Sequence, residues 1–184
     1  MVFWILIAVA GFAVAYVIAT YNGFVTLRNR GQNAWADIDV QLKRRHDLVP
    51  NLVETVKGYA GHERGVFENV TKLRSEAMQA QTPEGRGQAE NMLTSALKSL
   101  FAVAENYPQL KADQNFRELQ TQLAALEDQI QLSRRYYNAV VRDLNIKREM
   151  FPSSLIAGWF GILAMEYFQL EDEGEREPVK VSFG

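Results

Sequence analysis

The stretch VFWILIAVAGFAVAYVIA, residues 2–19, contains only apolar, aromatic and glycine side chains. No charged side chain occurs anywhere in residues 1–27. A helix that crosses the hydrocarbon core of a bilayer needs roughly 20 such residues, and residues 20–27 carry the run past that length. From Arg28 onward the chain is polar enough for water. The order predicts an N-terminal transmembrane anchor over residues 1–27, followed by one aqueous domain.

A cleaved signal peptide is the competing reading. Ala8-Val9-Ala10 and Ala13-Val14-Ala15 have the small-x-small form of a cleavage site. However, Met1, Val2 and Phe3 supply no basic leader, and the apolar run continues past both sites. A retained anchor is therefore expected. No Lys or Arg precedes the span, whereas Arg28, Arg30, Lys43, Arg44 and Arg45 follow it. Basic flanks stay cytoplasmic, which predicts a single-pass protein of the cell inner membrane, with its N-terminus outside and its domain in the cytoplasm. The absence of cysteine fits a reducing compartment.

Composition removes several function classes. A net charge of −2 gives no electrostatic footprint for nucleic acid. With no Cys and only His46 and His62, most metal sites built from soft or imidazole ligands are ruled out. Those two histidines are sixteen positions apart, about 160° around a continuous helix, so on one helix they would face nearly opposite ways. No cofactor is expected.

Periodicity makes the chain all-α. Trp35, Ile38, Leu42, Arg45, Val49, Leu52, Val56 and Tyr59 recur in steps of three and four, the seam of a helical bundle. One charge, Arg45, interrupts it. Pro50 lies off the seam, where a missing N–H and a crowded preceding turn predict a kink near residues 46–50. Gly58-Tyr59-Ala60-Gly61 reads as the stop. Nothing stronger than Gly23 and Gly31 separates anchor from seam, so one helix is free to run through both.

A second helix is expected from about Glu63 to Ala80, on Val66, Val70, Leu73 and Ala77. Thr82-Pro83-Glu84 gives a capping hydroxyl, a proline at the first helical position and an early acid. The third helix follows, on Ala89, Met92 or Leu93, Ala96, Leu100 and Val103, as far as Asn106-Tyr107-Pro108. A fourth, from about Asp113 to Met150, carries Phe116, Leu119, Leu123, Leu126, Ile130, Tyr137, Val140 and Leu144. Phe151-Pro152-Ser153-Ser154 breaks it. A bundle domain is expected over residues 28–168, followed by an acidic, flexible tail over residues 169–184.

Residues 155–168 are apolar but too short to span a membrane. Leu155, Ile156, Trp159, Phe160, Leu163 and Phe168 are the candidate contact residues of this segment. It could pack on the end of its own bundle, lie in the bilayer interface, or touch a second subunit.

The run NAWADIDVQLKRRHDLVPNLVETVKGY at residues 33–59 closely resembles the signature of the LemA family. Tyr107-Pro108-x-Leu110-Lys111-Ala112, Asn115-Phe116-x-x-Leu119-Gln120, Glu127-x-x-Ile130, Arg134-x-x-Tyr137-Asn138, Asn145 and Phe151-Pro152-Ser153 are similar to later parts of the same family. The resemblance covers the chain in order. It implies a bacterial membrane protein with one N-terminal anchor and an antiparallel helical bundle, in a family for which no enzymatic activity is established. Relatives connected with magnetosome membrane formation imply a membrane-organising role. One departure is local: family members often have Phe and Lys after the glycine near Gly161, where this chain has Ile162-Leu163-Ala164.

The polar residues within these motifs form a candidate structural or interaction network: Asp39, Arg44, Arg45, Asp47, Asn51, Glu54, Glu127, Arg134 and Asn138. Arg45 sits on the apolar seam and must find an acid, because an unpaired buried charge is expensive. Glu127, beside the Leu123–Ile130 stripe, is the expected partner. A buried network that fixes helix register is favoured over a ligand site. Catalysis finds no support: there is no Glu-x-x-His pair for a di-iron bundle, no Walker or dinucleotide loop and no nucleophile elbow.

These readings predict a non-enzymatic scaffold or membrane-organising protein that self-associates. Its expected partners are membrane lipids, further copies of itself and a membrane or cytoplasmic protein. An adaptor for another membrane protein, or a sensor holding a small ligand in the polar region of the first and fourth bundle helices, is the alternative.

Overall fold

The computed structural model describes residues 1–168 of the chain, so the tail expected over residues 169–184 lies outside the described residues. Six helices account for the fold: α1 (Val2–Lys57), α2 (Arg64–Gln79), α3 (Pro83–Glu105), α4 (Pro108–Ala112), α5 (Gln114–Glu149) and α6 (Ser153–Trp159). Among the described residues there is no strand. The protein is all-α.

The helix α1 is continuous for 56 residues, from the apolar stretch through the seam. Pro50 lies inside it without ending it. A proline at position 50 leaves the carbonyl of His46, four residues earlier, without its helical donor. That carbonyl accepts instead from Arg74 Nε of α2 at 2.6 Å. The proline thus creates an acceptor that a neighbouring helix uses.

Two compact units share the two longest helices. One comprises Met1–Leu42 and Asp128–Tyr167; the other comprises Lys43–Glu127 and, beyond it, Phe168. In the second unit, Val49, Leu52 and Val56 of α1 meet Val70, Leu73 and Ala77 of α2, Leu93, Leu97 and Leu100 of α3, and Phe116 and Leu123 of α5. The short α4, which the sequence reads only as a break, buries Leu110 in this core. Helix starts are sealed locally. Thr82 Oγ1 accepts from the Gly85 amide at 3.1 Å, and Asp113 Oδ1 accepts from the Phe116 amide at 2.8 Å. The Phe116 hydrogen bond is the main reason the Asp113 carboxyl sits below its ordinary value, with the Tyr59 hydroxyl adding to it.

The first unit holds α1 and α5 antiparallel. Phe24 lies under the ammonium of Lys147, Gly31 faces Val140, and Trp35 packs on Tyr137 with ring centroids 5.5 Å apart. Partners thus climb α1 as they descend α5. The apolar segment after the break is divided: it is helical only to Trp159. Gly161 then takes φ +63°, a left-handed turn that glycine makes without strain. Residues 162–168 continue outside any helix or strand.

Candidate functional site

Arg45 is 1% exposed, the charge on an otherwise apolar seam, with Leu42 and Val49 beside it at the same depth. Its Nη1 lies 3.0 Å from Glu90 Oε2, and its Nη2 lies 3.0 Å from Glu127 Oε1. Nη2 also donates to Thr94 Oγ1 at 2.7 Å. Thr94 in turn donates to the Glu90 carbonyl, one turn back on α3. His46 Nε2 stands 2.6 Å from the other oxygen of Glu90, Oε1. Glu90, itself 1% exposed, is therefore clasped by two consecutive residues of α1.

The arrangement ties three helices through one guanidinium. Burying Arg45 alone would cost several kcal/mol, and two carboxylates with good geometry offset that cost. The residual defect is Arg45 Nε, which is buried without a hydrogen-bond partner.

The nominated polar residues separate into two sets. Arg45 and Glu127 are brought together, whereas Asp39, Arg44, Asp47, Asn51 and Glu54 lie on the exposed face of α1. Glu54 meets Lys57 at 3.6 Å in a solvent-exposed pair. Arg134 and Asn138 are half-buried on α5. Nothing in the sequence motifs singles out Glu90 or Thr94. The stripe expected for the third helix holds at Leu93, Ala96 and Leu100, but Gly87, Glu90, Leu97 and Ala104 complete the buried line, and Met92 is exposed. Read along that line, Glu90 is an acid in an apolar row. The sequence offers His46 only one other histidine, His62, and that lies beyond the end of α1.

A second polar constellation binds main chain. Residues 162–166 lie along α5, and side chains of α5 bond their backbone. Arg148 Nε donates to the Ile162 carbonyl at 3.0 Å. Asn145 donates to the Met165 carbonyl at 2.9 Å and accepts from its amide at 3.0 Å. The Tyr137 hydroxyl donates to the Glu166 carbonyl at 2.8 Å. Burial pushes the Tyr137 phenol above its ordinary value. Gly31 of α1 leaves room for the thioether of Met165, which a side chain at that position would crowd. Of the candidate contact residues, Ile156 and Phe168 are buried, while Leu155, Trp159, Phe160 and Leu163 are exposed.

Comparison with known proteins gives a consistent kinship. A family model described as the LemA family matches residues 34–183. Magnetosome protein MamQ 2 of Paramagnetospirillum magneticum is 27% identical over 188 aligned positions, covering 88% of this chain and 69% of that protein. Magnetosome protein MamQ of Magnetospirillum gryphiswaldense is 25% identical, covering 84% of this chain and 66% of its own length. Protein LemA of Metamycoplasma hominis is 25% identical, covering 88% and 74%.

Proposed function

The chain belongs to the LemA family, and from that premise we propose that it is a single-pass, non-enzymatic scaffold that organises membrane by self-association. The observation that carries this reading is the closure of the buried ionic cluster. Arg45 is engaged by Glu90, Glu127 and Thr94, and His46 by Glu90. A catalytic or ligand-binding cluster keeps charged donors or acceptors free to meet a substrate. Here both terminal nitrogens of Arg45 are spent on holding α1, α3 and α5 in register, and its remaining donor, Nε, is sealed in the core away from any substrate, which favours the outer surfaces of the protein as the carriers of function.

The anchor supports the same reading. Its apolar window has no share buried within the chain, so it is solvated by lipid or by other copies. Kinship with proteins named for the magnetosome supports a role in arranging membrane. The basic residues that follow the span support a topology with the bundle in the cytoplasm and the N-terminus outside the inner membrane.

The deciding experiment is the mass of the full-length protein extracted in mild detergent, measured by light scattering or mass photometry. One large, reproducible assembly is expected. A monomer or dimer would overturn self-association and move the function to a binding partner. Orientation is read separately: a C-terminal alkaline phosphatase fusion is expected to be inactive, and an active fusion would reverse the topology.

A further inference from the structure

We propose that Phe151, Leu155, Trp159 and Leu163 form a second membrane contact, seated in the interfacial layer of the bilayer that α1 crosses, with Arg28 and Lys147 meeting lipid phosphates. The proposal rests on α1 being the membrane anchor and adds a site that the anchor alone does not require.

Depth along α1 carries the argument. If the apolar run enters the hydrocarbon core at Val2, a core of about 30 Å is spanned by roughly 20 residues, which brings the far edge to Tyr21. Residues 22–27 then cross about 9 Å of headgroup region before Arg28. Phe160 packs directly on Tyr21, with ring centroids 4.7 Å apart. Trp159 lies beside Phe160 at 6.5 Å. The tip of α6 is therefore held at the edge of the hydrocarbon core, deeper than the first charge of the chain. Aromatic side chains collect at that level because ring and dipole suit the boundary.

The surroundings agree with that placement. Trp159 is 83% exposed and Leu163 is 81% exposed, with Phe151 and Leu155 also open. Leu155 and Trp159 are four apart on α6 and share a face. Large apolar side chains gathered in one short segment are costly in water. Lys147 places its ammonium 5.0 Å from the centre of the Phe24 ring, one turn before Arg28, at the height where phosphates lie. Between α1 and residues 160–165 is a cavity of about 450 Å³. Along α1 its lining passes from Tyr21 and Phe24 to Arg28 and Gln32, the apolar-to-charged order that a phospholipid presents.

The test uses the absence of native cysteine. Single cysteines at Val9, Val40 and Leu163, all exposed positions, are labelled with an environment-sensitive fluorophore. The full-length protein is then reconstituted into phosphatidylcholine–phosphatidylglycerol vesicles containing doxyl-labelled lipid. Labels at positions 9 and 163 are expected to be quenched several-fold more than the label at 40. Quenching at 9 without quenching at 163 would overturn the second contact and leave the anchor standing. No quenching at 9 would remove the anchor and the proposal together. A label at 163 shielded from lipid and self-quenched by neighbouring copies would assign the surface to a second subunit instead. Adding Arg28→Gln and Lys147→Gln is expected to lower quenching at 163 and leave it unchanged at 9; no change at 163 would overturn the phosphate contact.

Discussion

The two units hold their parts together by different chemistry. In the second, an apolar core encloses one ionic cluster in which Arg45, His46, Glu90 and Glu127 recognise each other as side chains. In the first, Tyr137, Asn145 and Arg148 recognise residues 162–166 through their main chain. Side-chain pairing makes identity at both ends matter. Main-chain pairing fixes the path of a segment and leaves its side chains free. The side chains of Ile162-Leu163-Ala164 are therefore not what holds the segment: the bonds go to Ile162 and Met165 backbone atoms, and Leu163 is exposed.

The largest effect tests the ionic cluster. Arg45→Ala strands Glu90 in the core with only His46 beside it, and removal of one member of a buried pair costs about 3–5 kcal/mol. From the sequence alone, Arg45→Met is expected to be nearly neutral. Glu90 alters that expectation, because Met leaves the same buried carboxylate behind. Arg45→Met combined with Glu90→Leu is expected to recover most of the loss, read by thermal or denaturant unfolding of the detergent-solubilised protein. A double variant as unstable as Arg45→Ala would show that the cluster is not a charge-balanced device.

The next effect belongs to the other unit. Asn145→Ala removes a donor and an acceptor from the backbone of Met165, and each unsatisfied group costs about 1–3 kcal/mol if it stays buried. The segment is expected to release rather than bear that cost. Hydrogen exchange should accelerate at the Met165 amide while the Leu52 and Leu97 amides keep their protection. Leu163→Lys, by contrast, is expected to leave that exchange unchanged. Equal acceleration by both would break the distinction between the two recognition modes.

What was legible in the sequence follows the same division. The α1 seam repeats in threes and fours, and Ile38, Leu42, Val49, Leu52 and Val56 are all buried. Arg45 was visible because a charge in such a row needs an acid. Glu90 was hidden by phase at the start of α3: Ala89 and Met92 open a stripe as readily as Gly87 and Glu90, and both lines lead into the buried Leu93, Ala96 and Leu100. The binding of residues 162–166 left no periodic trace, since main-chain atoms carry it. Only Tyr137 and Asn145, eight apart on α5, hinted at it, without showing what they hold. The five-residue α4 is too short for a periodic signal.

A smaller effect sharpens the role of backbone acceptors in the second unit, where one is created by Pro50. Arg74→Met leaves the His46 carbonyl without its donor. Pro50→Ala restores an N–H four residues along the helix, which competes for the same oxygen. Arg74→Met is therefore expected to cost less in the Pro50→Ala background, with a coupling of at least about 0.5 kcal/mol in a double-mutant cycle. Strict additivity would mean that the 2.6 Å contact between Arg74 and His46 does not depend on the proline.

The smallest effect distinguishes the units by pH. Asp113 has its carboxyl held below the ordinary value, first by the Phe116 amide. A group whose pKa is lower folded than unfolded binds protons more readily in the unfolded state. Its stabilisation is present above the unfolded value, near 4 for an aspartate, and is lost as pH falls through the folded one. Asp113→Asn keeps a capping oxygen but cannot ionise. Its melting temperature is expected to lie below that of the native chain at neutral pH, with the gap closing as pH drops below about 4. The bonds around residues 162–166 that are formed by Asn145 and Tyr137 are neutral, so exchange at the Met165 amide, corrected for its intrinsic pH dependence, should not follow that closure. A matching acid response at Met165 would show that the ionic and main-chain modes of recognition are coupled through the helices that both units share.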